Sequence, residues 1–516
     1  MSTLKPSATK KRHDKQVIGY LTQYDAWKDV PGLVPKGGYN QLNVDFSKYT
    51  ILNFSFFGLA RDGTLHSGDY RNTDIWQAGT VQEPAPLIHK DIYSSFDMYI
   101  LYGELETIHW INAGTPAYNQ GYRNDEVNGV VVGWKNVTPG KEERGPWPLL
   151  LPVAEGKPGL LQKAKDEGVK AMASLGGWSM SKHFCEVAAD TGMRKALVNE
   201  CINLIKMGFD GIDFDWEYPN AKGMNIENYS PADYGNFATL MEDVREAIGS
   251  DKLITAAMSA SPAYLEGFDW ARLQRSMDYF NIMTYDINGG WSDTAGHNSP
   301  LFNYPGAKSY SCVSDSRKNV SDPTEKEASP VSLDSTTRFL LDKGVAPERI
   351  NLGVAFYGRG VITEDAAALN GRTVKKDVFV QPDGPISSCG DFDNWALGLW
   401  DATPLYSVIL QKTGSDGIGG ADGWKYNWDV NAKVPYLTKD KYFLSYDNER
   451  SIKAKAEYIK EKGLAGVIIW HTYGDLLDMT KKVENVGTTS LKYCPEARSP
   501  LVDVINEVFA SDKVGF

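Results

Sequence analysis

The stretch Phe209-Asp-Gly-Ile-Asp213-Phe-Asp215-Trp-Glu217-Tyr-Pro219 alternates acids with bulky apolar residues: Asp213, Asp215 and Glu217 are spaced by two, with Ile212, Phe214 and Trp216 interleaved. Two residues is the side-chain period of a strand, so on a strand the acids face one way and the apolar set the other. The apolar set then predicts packing beneath helices. The acids share the interior face of a buried strand, where like charges this close keep at least one proton among them and titrate as a unit. The alternative, a solvated acidic strand end, conflicts with the interleaved Ile, Phe and Trp.

Seven more apolar runs of similar length flank this one: Val17–Tyr20, Thr50–Leu59, Val169–Leu175, Leu253–Ser259, Tyr279–Tyr285, Ile350–Phe356 and Ala465–Trp470. Continuous apolar runs suit strands buried on both faces. Helical patterns lie between several of them, as in Arg194–Met207, stopping at Gly208, and Ser451–Lys462, stopping at Gly463. Eight strand and helix units predict an α/β fold, a (β/α)8 barrel.

The barrel is expected over residues 17–359 and 449–516, after a flexible segment 1–16. Two connections are too long for simple loops. Residues 61–159, after strand two, carry Trp76, Trp110, Trp134 and Trp147. Residues 360–448, after strand seven, carry Trp395, Trp400, Trp424 and Trp428 and read as a small α+β domain. Both follow strands and so sit at the face where barrel sites form. Leu501–Phe509 reads as a last packing helix.

Composition narrows the function. The 516 residues carry 54 Lys+Arg against 66 Asp+Glu, a net charge of −12, which argues against nucleic acid or an anionic membrane as partner. Aromatic residues make up 12%, including 14 Trp and 27 Tyr; they fill a core, and they also suit a carbohydrate cleft, where flat rings stack on apolar sugar faces. Five cysteines, Cys185, Cys201, Cys312, Cys389 and Cys494, form no disulfide framework, although one local bridge is open. With seven His and no HExxH cluster, no metal and no cofactor are expected. The first residues, MSTLKPSATKKRHDKQ, are polar and basic and hold no signal-like apolar stretch. Either export does not use the common route or a signal has been removed.

A terminal acid held protonated by its neighbours suits general-acid catalysis. The arrangement Asp210-x-x-Asp213-x-Asp215-x-Glu217 resembles the signature of family 18 glycoside hydrolases, the chitinase family, whose fold is a (β/α)8 barrel. The resemblance runs from about Val17 to Gly474. It includes Ser174-Leu-Gly-Gly-Trp178-Ser, Met283-Thr-Tyr285-Asp286, Gly353-Val-Ala-Phe-Tyr357-Gly-Arg359-Gly and Trp470. An α+β insertion after strand seven is also typical of the family's deep-cleft chitinases.

The resemblance implies a chitinase acting on chitin or chito-oligosaccharides by a retaining, substrate-assisted mechanism. Glu217 would be the general acid, and the substrate's own N-acetyl oxygen the nucleophile. Asp215 would orient the acetamide and Asp213 would exchange a proton with it. Tyr285 would bond the attacking oxygen. Met283 and Asp286 would line the same sugar subsite, with Trp470 as its floor. Trp178, Tyr357, Arg359 and Tyr20 are further candidate substrate contacts; Arg359 bracing the insertion and Tyr20, Tyr24 and Trp27 packing in the core are the competing readings. Gly176 and Gly177 read equally as a tight turn, and Tyr285 and Trp470 also fit core positions. His471 reads as structural; His183 has no assigned role.

An inactive sugar-binding relative would typically lack the acid at Glu217, which is present. An endo-β-N-acetylglucosaminidase shares the ladder, but the insertion after strand seven favours linear chitin. The resemblance implies action outside the cell, and a chitinase without an evident signal also suits a subunit of a larger toxin-type assembly.

Overall fold

Each of the eight apolar runs forms a strand in the computed structural model, which describes residues 13–68, 81–85, 87–88, 96–108, 113, 123–127, 130–134, 149–153, 155–308, 330–381, 384–387, 403–414, 419–487 and 489–511. The strands are β1 (Gln16–Thr22), β2 (Ile51–Leu59), β3 (Lys170–Gly176), β4 (Gly211–Asp215), β5 (Leu253–Ser259), β6 (Tyr279–Met283), β7 (Ile350–Ala355) and β8 (Gly466–Trp470). Successive strands pair in parallel, and β1 pairs with both β2 and β8, which closes the (β/α)8 barrel. All nine residues of β2 and all six of β7 are buried, the pattern expected of strands covered on both faces. Leu65–Ser67 adds one antiparallel strand beside the end of β2.

The alternation on β4 sorts its side chains as the period of two requires. Outside the barrel, Trp216 stacks on Phe184 at 5.4 Å and leans on Phe237 of the following helix at 6.2 Å. Inside, Asp213 lies level with Ser174 of β3 and Thr255 of β5. β4 and β6 each stop two residues short of the run read from sequence, so Glu217 and Tyr285 stand on loops at the mouth rather than on strands. The β4 ladder ends because the Glu217 N–H goes to the Ser181 hydroxyl, 3.0 Å away. Past β6 the chain turns at Asp286, whose φ is 56°.

Helices cover the outside. Thr191–Met207 starts at Asp190, whose carboxylate accepts from Met193 N at 2.8 Å, and ends at Gly208 with φ 118°. Glu449–Glu461 opens on a reciprocal cap between Asn448 and Ser451. The final helix, Pro500–Ala510, is capped by the buried Asp475, whose Oδ2 accepts from Leu501 N at 2.9 Å and Val502 N at 3.2 Å.

Between β7 and Glu449, an antiparallel sheet joins Arg359–Ile362, Tyr442–Ser445, Val434–Lys439 and Lys425–Asp429 in that order, beside a helix at Tyr406–Thr413. Lys375–Gln381 and Gly384–Ser387 make a separate hairpin. In the connection after β2, the described pieces are a helix at Asp97–Tyr102 and two strand pairs, Leu105–Ile108 with Leu149–Pro152 and Arg123–Val127 with Val130–Trp134. Trp76, Trp110, Trp147, Trp395, Trp400, Cys312 and Cys389 lie outside the described residues, as does the side chain of Trp134. Cys185, Cys201 and Cys494 are buried and free. Among the described residues no helix is long and apolar enough to cross a membrane.

A buried ion pair fastens the outer helix to the mouth. Lys455 is fully buried, and its Nζ lies 2.7 and 2.6 Å from the two Asp447 oxygens and 2.8 Å from Ser299 Oγ. Ser299 in turn donates to the Thr284 carbonyl at 2.7 Å, one residue before Tyr285. Removing one partner strands the other charge in the interior. Lys455→Met is therefore expected to lower stability by about 3–5 kcal/mol in chemical denaturation, and adding Asp447→Leu to restore much of it.

Candidate active site

The carboxylates are built on the inner face of β4. Asp213 is fully buried and receives four donors: Thr255 Oγ1 at 2.5 Å, Ser174 Oγ at 2.7 Å, the Tyr20 hydroxyl at 2.9 Å and Asn281 Nδ2 at 3.3 Å. Burial pushes its proton affinity up, and the donors hold back part of that rise. Asn281 is itself oriented by Asn351 Nδ2, 2.9 Å from its Oδ1. The lower barrel thus presents hydrogen-bond donors to a single anion.

Asp215 has far less support. Burial raises its pKa well above the usual carboxylate range, and the neighbouring Glu217 and Asp213 charges raise it further. Its Oδ1 is buried with no protein partner in the structure, and it shares a side-chain hydrogen bond with Glu217. Glu217 is pushed up to about 7, first by burial and then by the Asp286 carboxylate, while hydrogen bonds from Tyr218 and Asp215 oppose the rise. The pair therefore holds a proton near neutrality, on acids of which one, Glu217, reaches the mouth.

The rim is organised around Asp286. Its N–H donates to Asn298 Oδ1 at 2.8 Å, which holds the left-handed turn. Its carboxylate accepts from the Tyr357 hydroxyl at 2.5 Å and from Arg359 at 2.9 Å on each oxygen, a two-point clamp. The Arg359 guanidinium lies over the Trp291 ring at 4.9 Å. Tyr285 is buried, edge-on to Tyr357 at 6.2 Å, with its hydroxyl proton held tightly by burial and by the surrounding carboxylates. Met283 closes β6 just below it.

Trp470 ends β8 half-buried, its ring parallel to Phe56 at 5.7 Å and 19°. Trp178 opens a short turn after β3 and is also half-buried. The turn needs both glycines: Gly176 and Gly177 have φ of 98° and 76°, and a Cβ on Gly176 would collide with the Asp215 carbonyl oxygen. Non-proline cis peptide bonds at Ser55–Phe56, Glu217–Tyr218 and Trp470–His471 stand at this same end of the barrel.

Asp215, Glu217, Tyr285, Asp286, Met283 and Trp470 are thus gathered at one end of the barrel, with Asp213 beneath them. Tyr20 is not on the cleft wall: it is 1% exposed, donates to Asp213 and packs on Trp470 at 5.7 Å. Tyr357 and Arg359 aim their polar atoms at Asp286, and Trp27 projects into solvent, 53% exposed. Trp424 is buried in the insertion, and Trp428 lies under Arg450 at 3.8 Å. His471 is buried and neutral, 3.7 Å from Asp25, with burial lowering its pKa to about 4. His183 Nδ1 sits 2.5 Å from Glu186 Oε1, and its Nε2 accepts from Gln82 N at 3.1 Å. Thr255, Asn281 and Asn298 escaped the sequence reading. The first two carried a signal, as polar residues inside apolar strand runs, Thr255 in register with Asp213 and Asn281 within reach of its carboxylate.

The family model "Glycosyl hydrolases family 18" matches residues 156–475. Chitinase A1 of Niallia circulans is 33% identical over 326 residues, covering 61% of this chain and 42% of that protein. A probable endochitinase of Caenorhabditis elegans is 29% identical over 323 residues, covering 60% and 44%. The chain thus spans less than half the length of these two curated relatives. Among solved structures, chitinase ChiA74 from Bacillus thuringiensis superposes with a TM-score of 0.63 at 24% identity, over 96% of this chain and 70% of that one; at that identity the likeness concerns the fold.

The raised Glu217 pKa has a consequence for stability. The folded protein binds a proton there that the unfolded chain releases between the ordinary value of 4.5 and about 7. The stabilisation from this group is present below the ordinary value and is lost as pH rises through about 7. Glu217→Gln is therefore expected to raise the melting temperature at about pH 8 and to leave it nearly unchanged at about pH 4 in scanning calorimetry.

Proposed function

Because the chain belongs to glycosyl hydrolase family 18, we propose that it is a chitinase, cleaving β-1,4 linkages between N-acetylglucosamine units with retention of configuration. The observation that carries this reading is the Asp213–Asp215–Glu217 ladder, whose outermost acid keeps its proton to about pH 7 at an aromatic-lined mouth.

In the first step the Glu217 carboxyl gives its proton to the glycosidic oxygen as the bond to C1 breaks. The acetamide oxygen of the same sugar attacks C1 and forms an oxazolinium ion, and the leaving saccharide departs with the proton. Asp215 faces the acetamide N–H, and its negative charge stabilises the cation. Asp213, already supplied with four donors, takes up the ionised role when Asp215 carries the proton. Tyr285 directs its hydroxyl at the attacking oxygen, while Trp470 provides a flat apolar floor. In the second step the Glu217 carboxylate removes a proton from water, which opens the ring at C1 and restores the acid. Attack from opposite faces in the two steps leaves the β anomer. Action outside the cell fits a polymer too large to be taken up.

Incubation with chitin oligosaccharides, followed early by proton NMR, is expected to release the β anomer first. Glu217→Gln is expected to reduce kcat by about 10²–10⁴-fold while still folding. A wild-type chain that leaves chitin oligomers intact but trims N-glycan cores would replace this reading with a glycan-core hydrolase.

A further inference from the structure

Ser181 is fully buried in the turn that follows Trp178, two residues beyond the Ser174–Ser179 motif. Its hydroxyl accepts the Glu217 N–H at 3.0 Å and lies 2.8 Å from the Gly177 carbonyl oxygen and 2.9 Å from that of Asp215. Gly177 N also donates to the Asp215 carbonyl, at 2.8 Å. One side chain therefore closes a ring between the end of β3 and the end of β4, at the point where the strand ladder gives out.

The Glu217 amide has left the sheet, and in this buried position it needs an acceptor. The oxygen that supplies it is tied to the peptide of Asp215. The two residues whose side chains share a proton are thus held at their backbones by the same hydroxyl. A small rotation of the intervening Trp216 peptide would move the Glu217 carboxyl relative to Asp215 and to a bound glycosidic oxygen.

We propose that Ser181 is a positioning residue for the general acid, fixing the backbone from Asp215 to Glu217 so that the Glu217 carboxyl meets the leaving-group oxygen. The same contact ties the Trp178 turn, at which a sugar would dock, to the acid that acts on it. This rests on the reading of Glu217 as general acid, and it makes a distinct demand: loss of Ser181 must impair proton donation more than sugar binding.

The test compares wild type, Ser181→Ala, Ser181→Thr and Glu217→Gln on a chitin oligosaccharide and on an aryl chitobioside whose phenolate leaves with little need of a proton. Ser181→Ala is expected to lose about 10–100-fold in kcat on the oligosaccharide with KM changed less than about twofold. On the aryl glycoside the loss should be about threefold or less, and the alkaline limb of the oligosaccharide profile should move. Ser181→Thr, which keeps the hydroxyl, should recover most of the activity. Equal losses on both substrates, a change in KM alone, or wild-type behaviour of Ser181→Ala beside an inactive Glu217→Gln would overturn the proposal while leaving the general acid in place. If wild type itself cleaves neither substrate, the reading of Glu217 falls and this one with it. Should Ser181→Ala fail to fold, Ser181→Cys, of similar size but a poor hydrogen-bond partner, carries the same comparison.

Discussion

Desolvation of three like-charged acids is the constraint around which the barrel is arranged. Taking a carboxylate out of water is unfavourable unless donors or opposite charges replace the lost hydration. The chain applies a different remedy at each level. Asp213, deepest, is surrounded by four donors from β1, β3, β5 and β6. Asp215, one step up, lacks equivalent donors, so burial and the neighbouring Glu217 and Asp213 charges raise its affinity for a proton. Glu217, at the mouth, shares that proton and feels the rim charge of Asp286. The gradient of support from bottom to top is what makes chemically equal side chains unequal in proton affinity.

That gradient explains which parts of the molecule were legible in the sequence. The eight strands were readable because burial on both faces writes a continuous apolar run, and the acids were readable because they interrupt one such run with a period of two. The ends of β4 and β6 were not, because they are set by partners distant in sequence. The Ser181 hydroxyl captures the Glu217 N–H across 36 positions, and Asn298 holds the turn at Asp286. Neither contact has a local pattern. Tyr20 illustrates the same limit: an aromatic after the first strand reads equally as cleft wall or as core until the fold brings its hydroxyl to Asp213.

The sheet that follows β7 is more than an appendage to the barrel. Its first strand begins at Arg359, which clamps Asp286. A second strand contributes Ser445, whose hydroxyl accepts the Asn298 N–H at 2.9 Å. Asp429, at the end of a third, pairs with the buried His297 at 2.9 Å. Three strands of the insertion thus reach the loop after β6, and through Asn298 and Arg359 they fix where the Asp286 charge stands. Sequence separation hides this dependence, since these residues span 286 to 445.

Asp286 then has two opposed effects on the acid beside it. Its charge favours the protonated form of Glu217, while the Arg359 guanidinium clamped to it offsets part of that charge. A bare Asp286 would hold the Glu217 proton more tightly; a fully neutralised one would hold it less, with burial, the larger cause, still in place. A general acid works best with a pKa near the operating pH, where it is both loaded and able to donate. The insertion therefore tunes proton affinity at the mouth, because the charge it anchors at Asp286 is, after burial, the other cause that raises the Glu217 pKa.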